Sequence, residues 1–229
     1  MIPSHRRLAR IAVTACCAVS ATGAMAAAAS AATLTPDKAC YVNAASAASM
    51  RITGSGWTPG TTVQLSTGTS LGATLATATA DAAGVVTFTA PAPVLKSPGT
   101  AKTTRLTATA VNADASRTSA TVKVQSTELG VATLRRSVRN VRKDKIRFSF
   151  SGFVTGKNIY AYYIFKNKVV AKARFRQAQG PCGLLKQDAL LYPGGRPAHD
   201  SYKVTFESSN RYRTTVFARV TGNLSILHF

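Results

Sequence analysis

The amino-acid sequence predicts an all-β fold in which two antiparallel β-sandwiches follow a cleaved N-terminal signal peptide. Three observations favour this class: a motif that occurs twice at a domain-sized interval, short stretches of alternating apolar and polar residues, and turn residues between those stretches. Alternation with a period of two places apolar side chains on one face of a strand and polar side chains on the other. A chain of 229 residues is long enough for two such domains.

The duplicated motif is SGWTPG at residues 55–60, which returns as SGFVTG at residues 151–156. The match extends to RITGSGWTPGTTV over RFSFSGFVTGKNI, and the two copies are 96 residues apart. That interval is close to the roughly 100 residues of an immunoglobulin-like sandwich, so we predict that a whole domain is duplicated. The predicted domains are immunoglobulin-like β-sandwich 1 at 33–126, a basic linker or first strand at 127–145, and immunoglobulin-like β-sandwich 2 at 146–229.

Each copy of the motif is interpreted as a corner of the fold. The first glycine ends a strand with backbone angles that other residues avoid, the aromatic residue then turns inward, and the second glycine belongs to a turn. We predict this structural role, in preference to ligand binding, for Gly56, Trp57, Gly60, Gly152, Phe153 and Gly156.

The alternating stretches of the first half predict seven strands, which read KACYVN, SMRITGSG, TTVQLST, LGATLATATA, VVTFTAP, TTRLTATAV and SATVKVQS. DAAG at residues 81–84 and VNADASR at residues 111–117 are predicted hairpin turns. The second half predicts strands at KIRFSFSG, NIYAYYIFK, KVVAKARFR, YKVTFES and YRTTVFARV, and it leaves CGLLKQDALLY unassigned. TLRRSVRNVRKDK between the halves has apolar residues at helical spacing, but its place before a strand of the second copy favours a strand-like segment.

Residues 1–31 have the composition of a signal peptide. Three arginines precede an uncharged apolar run that ends in the small residues Ala29, Ser30 and Ala31. The alternatives are an uncleaved anchor and a lipoprotein modified at Cys16. No other stretch is long and apolar enough to span a bilayer, so we predict a secreted chain that is extracellular or associated with the cell wall.

Cleavage would remove Cys16 and Cys17 and leave Cys40 and Cys182. In an oxidising compartment two cysteines either form one disulfide or remain as two thiols, and the compartment favours the disulfide.

Charge is the strongest compositional signal. Without the three arginines of the signal peptide, the chain has 26 Lys and Arg residues against 8 Asp and Glu residues. Residues 33–126 contain 7 basic and 3 acidic residues, whereas residues 127–229 contain 19 and 5, which gives formal charges of +4 and +14. The second half alone therefore has a field that attracts polyanions.

NIYAYYIFK and KVVAKARFR predict a hairpin with a three-residue loop formed by Lys166, Asn167 and Lys168. Both strands bury an apolar face only in one register. In that register the apolar face carries Ile159, Ala161, Tyr163 and Phe165 with Val169, Ala171, Ala173 and Phe175. The opposite face carries Tyr160 and Tyr162 beside Val170, Lys172, Arg174 and Arg176.

Tyrosine beside arginine and lysine is typical of surfaces that bind acidic polymers, because rings stack on sugars or bases and guanidinium groups bind phosphate or carboxylate. We predict an anionic-polymer site formed by Tyr160, Tyr162, Lys172, Arg174 and Arg176, widened by linker residues Arg135, Arg136, Arg139 and Arg142. The alternative is a solvated sheet face with cross-strand packing beside a solvated tether.

Catalytic candidates are few. The sequence contains no HExxH, GxSxG, P-loop or CxxC pattern, and we predict neither a metal nor a cofactor. His199 beside Asp200 is typical of a solvated loop. Cys182 with His199 forms a conceivable nucleophile and base, but the disulfide interpretation competes for Cys182.

CYVN, the GSGWTPGTTV corner, ADAAGVVTFTAP, SGFVTGKNIYAYY, QGPCGLL and YKVTFESSNRY together resemble uncharacterised secreted two-domain immunoglobulin-like proteins of actinobacterial type. The resemblance covers most of the chain after the signal peptide and implies the fold and export, but no particular activity. The first domain is also weakly similar to neocarzinostatin-type chromophore-binding apoproteins. It departs from their pattern because those proteins have disulfides within the one domain, and here the first half contains only Cys40.

These observations favour a non-enzymatic secreted or cell-surface protein whose basic second domain associates electrostatically with anionic envelope polymers. Extracellular nucleic acid is an additional, non-specific partner under this hypothesis. The alternatives are a structural or adhesive spacer without a specific ligand, and a small-molecule-binding or catalytic sandwich.

Overall fold

The computed structural model describes residues 31–44, 46–68, 73–94, 97–114, 116–133, 143–193, 201–212 and 219–225. The signal peptide predicted at 1–31 lies outside this part of the chain except for Ala31. The same holds for His199 and for the four linker residues Arg135, Arg136, Arg139 and Arg142. Within the described ranges, the chain forms no helix of the length and apolarity needed to cross a membrane.

The first sandwich consists of a three-stranded and a five-stranded sheet. Its strands are β1 (Thr33–Pro36), β2 (Tyr41–Asn43), β3 (Ser49–Ser55), β4 (Thr62–Thr67), β5 (Thr74–Thr79), β6 (Val86–Pro91), β7 (Ala101–Val111) and β8 (Arg117–Glu128). The strand orders are β1-β3-β6 and β2-β8-β7-β4-β5. All neighbouring strands are antiparallel except β2, which pairs with β8 in parallel.

The core of the first sandwich lies between its two sheets. Met50 and Ile52 of β3 are fully buried while Arg51 between them is exposed, as the alternation of the sequence predicts. They pack in one cluster with Leu65 from β4 and Leu106 from β7. Alternate apolar residues on both sheets thus form a single core.

The second sandwich repeats this arrangement with a three-stranded and a four-stranded sheet. Its strands are β9 (Gly130–Thr133), β10 (Lys145–Ser151), β11 (Asn158–Phe165), β12 (Lys168–Gln177), β13 (Leu185–Leu190), β14 (Ser201–Glu207) and β15 (Arg219–Ser225). The strand orders are β13-β10-β9 and β12-β11-β14-β15. The segment CGLLKQDALLY, which the pattern left unassigned, contains β13.

Aromatic rings fill the core of the second sandwich. Phe150 lies 4.8 Å from Phe175 and 5.7 Å from Phe206, measured between ring centroids, in edge-to-face contacts. Phe148 contacts the same rings. Such pairs add about 0.5–1.5 kcal/mol each to the gain from burying their area.

The predicted all-β class with two tandem sandwiches is confirmed by these sheets. Of the two predicted hairpin turns, that at residues 111–117 joins the paired strands β7 and β8. DAAG at residues 81–84 is not a hairpin turn, because it connects β5 to β6 and these strands belong to different sheets. Strand β1 was not among the predicted strands, because TLTP is only four residues long and ends in a proline, which is uncommon within a strand.

The two motif copies form the same corner, as predicted. Gly56 and Gly152 have φ of 83° and 77°, and the aromatic residue that follows each is 3% exposed. The second glycine of each copy also has a positive φ and donates its backbone N–H to an equivalent carbonyl.

A glycine from a later loop packs against each corner aromatic. Gly84 accepts the backbone N–H of Trp57 at 3.1 Å, and Gly183 accepts that of Phe153 at 3.3 Å. A Cβ on Gly84 would lie 2.3 Å from the Trp57 carbonyl oxygen, and one on Gly183 would lie 1.7 Å from that of Phe153. DAAG and GPCG are therefore equivalent loops, a correspondence that the sequence alignment missed.

The two sandwiches meet at a tightly packed junction. Strand β8 extends through Glu128, two residues past the predicted end of sandwich 1, and only Leu129 separates it from β9. The Ser151 hydroxyl accepts the backbone N–H of Gly99 at 2.8 Å and donates to the Glu128 carbonyl at 2.5 Å. A Cβ on Gly99 would lie 2.5 Å from the Ser149 Cβ, so the backbones are in contact there.

A disulfide between Cys40 and Cys182 joins the two sandwiches across this junction, as the cysteine count predicted. Their Cα atoms lie 5.3 Å apart, although 142 residues separate them in the sequence. Cys182 therefore has no thiol available as a nucleophile.

Candidate functional site

The predicted cation-bearing face lies on the β11–β12 hairpin, and its turn differs from the prediction. The turn has two residues, Lys166 and Asn167, with φ of 45° and 62°, and Phe165 pairs directly with Lys168. Positive φ at both central positions is typical of the type I′ turn that joins tight hairpins. The three-residue loop was therefore wrong.

A β-bulge at Val170 compensates for the shorter turn. Ile164 pairs with Val169 and the next pair is Tyr163 with Ala171, so β12 contains one extra residue there. Beyond the bulge, Tyr162 lies opposite Lys172 and Tyr160 opposite Arg174, as the predicted register requires. Val169, which was expected on the buried face, is 43% exposed instead.

Lys172 is held within an aromatic cluster. Its Nζ lies 4.5 Å from the ring centroid of Tyr160 and 5.4 Å from that of Tyr162, and it donates a hydrogen bond to the Asn210 carbonyl. Two cation–π contacts and one hydrogen bond to a carbonyl stabilise the positive charge within the protein. This ammonium group is therefore committed to internal contacts.

Tyr162 lies on the predicted face but is buried, with 2% of its surface exposed. Its hydroxyl donates to the Ser209 carbonyl at 2.7 Å, and its ring centroid lies 5.5 Å from that of Tyr212. Burial, together with the negative charge of Glu207, raises the pKa of Tyr162 to about 12. The segment at 208–212 thus covers the ring that was expected to stack on a ligand.

A buried ion pair lies on the same face. Glu207 of β14, opposite Tyr160, is fully buried, and its Oε2 lies 3.0 Å from Nη2 of Arg219 on β15. The Arg219 guanidinium carbon is 5.1 Å from the Tyr212 ring centroid. The carboxylate is therefore neutralised below the surface and does not oppose an approaching anion.

Four cations on β12 are exposed, and of these Arg174 and Arg176 lie beyond the turn and are not held in the aromatic cluster as Lys172 is. Both residues are exposed, and the backbone N–H of Arg176 donates to Gln187 Oε1 at 2.8 Å, which fixes the end of this strand beside β13. On the other sheet, Arg147 forms a bidentate pair with Asp188 at 2.8 and 2.9 Å. Hydrogen bonding to Arg147 lowers the pKa of Asp188, so that pair is charge-balanced.

The structure thus brings Tyr160, Tyr162, Lys172 and Arg174 together, with Arg176 further along the same strand. Sequence reasoning missed Glu207, Arg219 and Tyr212 as members of this cluster. The segment ESSNRY contains Glu207 and Tyr212 but not Arg219, and no period in the sequence linked it to the hairpin. The described part of the chain contains no group of three His, Cys, Asp or Glu residues that could hold a metal ion.

Comparison with family models finds no match, and comparison with curated proteins finds none. Among solved structures, the chain is similar to a tetra-tandem repeat from the extending region of a large adhesion protein. The TM-score is 0.31 at 13% identity, and the match covers 86% of this chain and 49% of that one. The chain thus spans about half the length of that structure.

Two chaperone structures are also similar to the chain. The Escherichia coli chaperone DraB matches with a TM-score of 0.29 at 11% identity, covering 76% of this chain and 92% of its own. The periplasmic chaperone SfaE matches with a TM-score of 0.26 at 10% identity, covering 75% and 91%. Likenesses at these TM-scores indicate no function for this chain.

Proposed function

We propose that the protein is a non-enzymatic, exported protein whose second sandwich associates electrostatically with anionic polymers of the cell envelope. The observation that supports this most directly is the outer face of the four-stranded sheet. Its described carboxylate, Glu207, is buried and paired, whereas Arg174 and Arg176 are exposed.

The same contacts indicate how such binding would work. Tyr162 is covered and Lys172 is engaged internally, so ring stacking is a minor contribution and charge is the main one. Attraction of this kind depends on the summed field, and residues 127–229 have a formal charge of +14. The expected ligands are phosphate-rich or uronic acid polymers, with extracellular DNA as a non-specific partner.

Export is part of the proposal. Disulfides form and persist in oxidising compartments, and the Cys40–Cys182 disulfide is consistent with the predicted signal peptide.

Retention of the protein on an isolated cell-wall fraction tests the mechanism. Between about 50 and 500 mM salt, retention should fall steeply, because exposed charges are screened over a few ångströms at high salt. Unchanged retention across this range would contradict an electrostatic mechanism.

A pair of charge-matched variants tests the location. R174Q/R176Q and the control K38Q/R51Q each remove two positive charges, from the second and the first sandwich respectively. With duplex DNA as a defined polyanion, R174Q/R176Q should reduce the slope of log K against log salt by about two, whereas the control should not. Equal effects would show that no localised face exists.

The junction between the sandwiches favours a second candidate, a structural or adhesive spacer without a specific ligand. The disulfide, the Ser151 bridge and the backbone contact at Gly99 make a stiff connection between the domains. Under this candidate no anionic polymer shows saturable binding. The stiffness of the connection depends on the disulfide, so C40S/C182S should lower the free energy of unfolding by about 4 kcal/mol. Saturable binding to the wall fraction would favour the first candidate.

A further inference from the structure

A polar groove follows the outer face of the five-stranded sheet of the first sandwich. It consists of two cavities of about 560 and 300 Å³ that are open to solvent. Thr109 of β7 and Arg117 of β8 line both cavities, so these are two lobes of one groove divided at Arg117. The groove lies on a different domain from the cations Arg174 and Arg176.

The register of the sheet explains the chemistry of the groove. Gln64 pairs with Thr109, and Thr109 pairs with Ser119, so their side chains form one polar row across three strands. Neighbouring strands lie about 4.8 Å apart, which brings these polar groups within reach of one extended ligand. Arg105 and Arg117 add a guanidinium group to each lobe.

The two ends of this row are open to a ligand. Gln64 and Ser119 are exposed, so their amide and hydroxyl groups face the groove. Between them, the Thr109 Oγ1 is shielded from solvent and makes no hydrogen bond to any other described residue, so it lies below the surface that a ligand would contact. The hydroxyl of Thr107, on the same face, donates to the Gly68 carbonyl at 2.5 Å.

The charged residues in the lining of the groove are Arg105 and Arg117, and the lining contains no carboxylate. Asp81 and Asp114 lie outside it in turns: Asp81 accepts the backbone N–H groups of Ala83 and Val85, and Asp114 accepts that of Ser116. An acidic ligand would therefore meet two guanidinium groups and no carboxylate within the lining itself.

These features define the ligand class. Guanidinium groups bind carboxylate or phosphate with two parallel hydrogen bonds, and the row of hydroxyl and amide groups matches the hydroxyls of a sugar chain. The lining contains no aromatic ring, so neither a base nor a sugar ring can stack there, and a ligand would be held by charge and hydrogen bonds.

We propose that this groove binds an acidic polysaccharide, with Arg105 and Arg117 on its acid groups and Gln64 and Ser119 on sugar hydroxyls. The groove is a second site, independent of the charged face of the second sandwich, and it shares with that face only a preference for anions.

Titration of the isotope-labelled protein with a polygalacturonate oligosaccharide tests the proposal. The backbone amide signals of Gln64, Thr109 and Ser119 should shift in a saturable way. R117Q should weaken binding about tenfold and S119A about fivefold, because the first loses a charged hydrogen bond and the second a neutral one.

The controls are R51Q and S49A, which make the same changes on the outer face of the other sheet of this sandwich and should leave the affinity unchanged. R174Q/R176Q should also leave the groove shifts intact, so a failure of the proposed envelope binding can be told apart from a failure of this site. Dextran, a neutral glucan, tests the need for acid groups, and polyglutamate, an acid polymer without sugar hydroxyls, tests the need for the sugar.

Weak binding of both control polymers is the expected result. Three outcomes would overturn the proposal: shifts confined to β12, equal losses in R51Q and R117Q, or polyglutamate binding as tightly as polygalacturonate.

Discussion

The outer faces of the five-stranded and the four-stranded sheet occupy the same place in the two copies of the fold. Strands β4, β7 and β8 of the first sandwich correspond to β11, β14 and β15 of the second, and the strand order is the same. At the 96-residue offset, Gln64 and Ser66 correspond to Tyr160 and Tyr162. One face is an open hydroxyl-lined groove, and the other is a closed aromatic cluster.

The neighbouring strands differ in the same way. Next to Gln64, the first sandwich has the pair Thr109 and Ser119, whereas next to Tyr160 the second has Glu207 and Arg219. Small hydroxyl residues leave space above the sheet. Large rings, an ion pair and the segment at 208–212 fill that space, so the duplicated backbone supports two unlike surfaces.

The largest expected effect comes from the ion pair. R219A leaves the fully buried Glu207 without its guanidinium partner, and breaking a buried pair in this way costs about 3–5 kcal/mol. The equivalent change in the first sandwich, S119A, removes an exposed hydroxyl and should stay within about 0.5 kcal/mol. Denaturant midpoints of the two variants measure the difference, and equal midpoints would mean that the ion pair does not stabilise its face.

The corner glycines give the next effect. G183A places a Cβ 1.7 Å from the Phe153 carbonyl oxygen at a φ of +57°, so strain and overpacking should cost about 2–5 kcal/mol. G84A meets the Trp57 carbonyl oxygen at 2.3 Å and should cost less. Thermal unfolding of both variants ranks them, and the reverse order would show that the two corners are not equivalent.

A smaller effect is expected at Tyr162. Y162F keeps the ring contacts and removes only the hydrogen bond to the Ser209 carbonyl, which should cost about 1 kcal/mol. S66A at the corresponding position removes the hydrogen bond to the Thr107 carbonyl at 3.2 Å, and a similar loss is expected. A much larger loss in Y162F would indicate that the hydroxyl fixes the whole 208–212 segment.

The pH dependence of Tyr162 gives the subtlest test. Its pKa in the folded protein, about 12, lies above the value of about 10 for an unfolded chain. The neutral phenol therefore contributes its full stability below pH 10, and this contribution is lost as the pH rises from about 10 to about 12. Y162F should reduce the alkaline loss of stability, and an unchanged alkaline profile would contradict the raised pKa.

The sequence alone determined the two sandwiches and much of the hairpin register. A period of two and a repeat at 96 residues are visible in the chain itself, and burial of an apolar face rejects a register that is shifted by one residue. The pairing of Tyr162 with Lys172 followed from this rule even though the turn was misjudged. The rule held because the bulge at Val170 compensated for the shorter turn.

Only the tertiary structure decided which side chains on the outer faces are accessible. Tyr162 is buried by Ser209 and Tyr212, which lie nearly fifty residues later in the chain, and Glu207 is neutralised from a neighbouring strand. The same holds for Gly183 against Phe153 and for the groove formed where β4, β7 and β8 meet. Local alternation fixes which face of a strand points outward, but contacts between distant segments determine whether that face is covered.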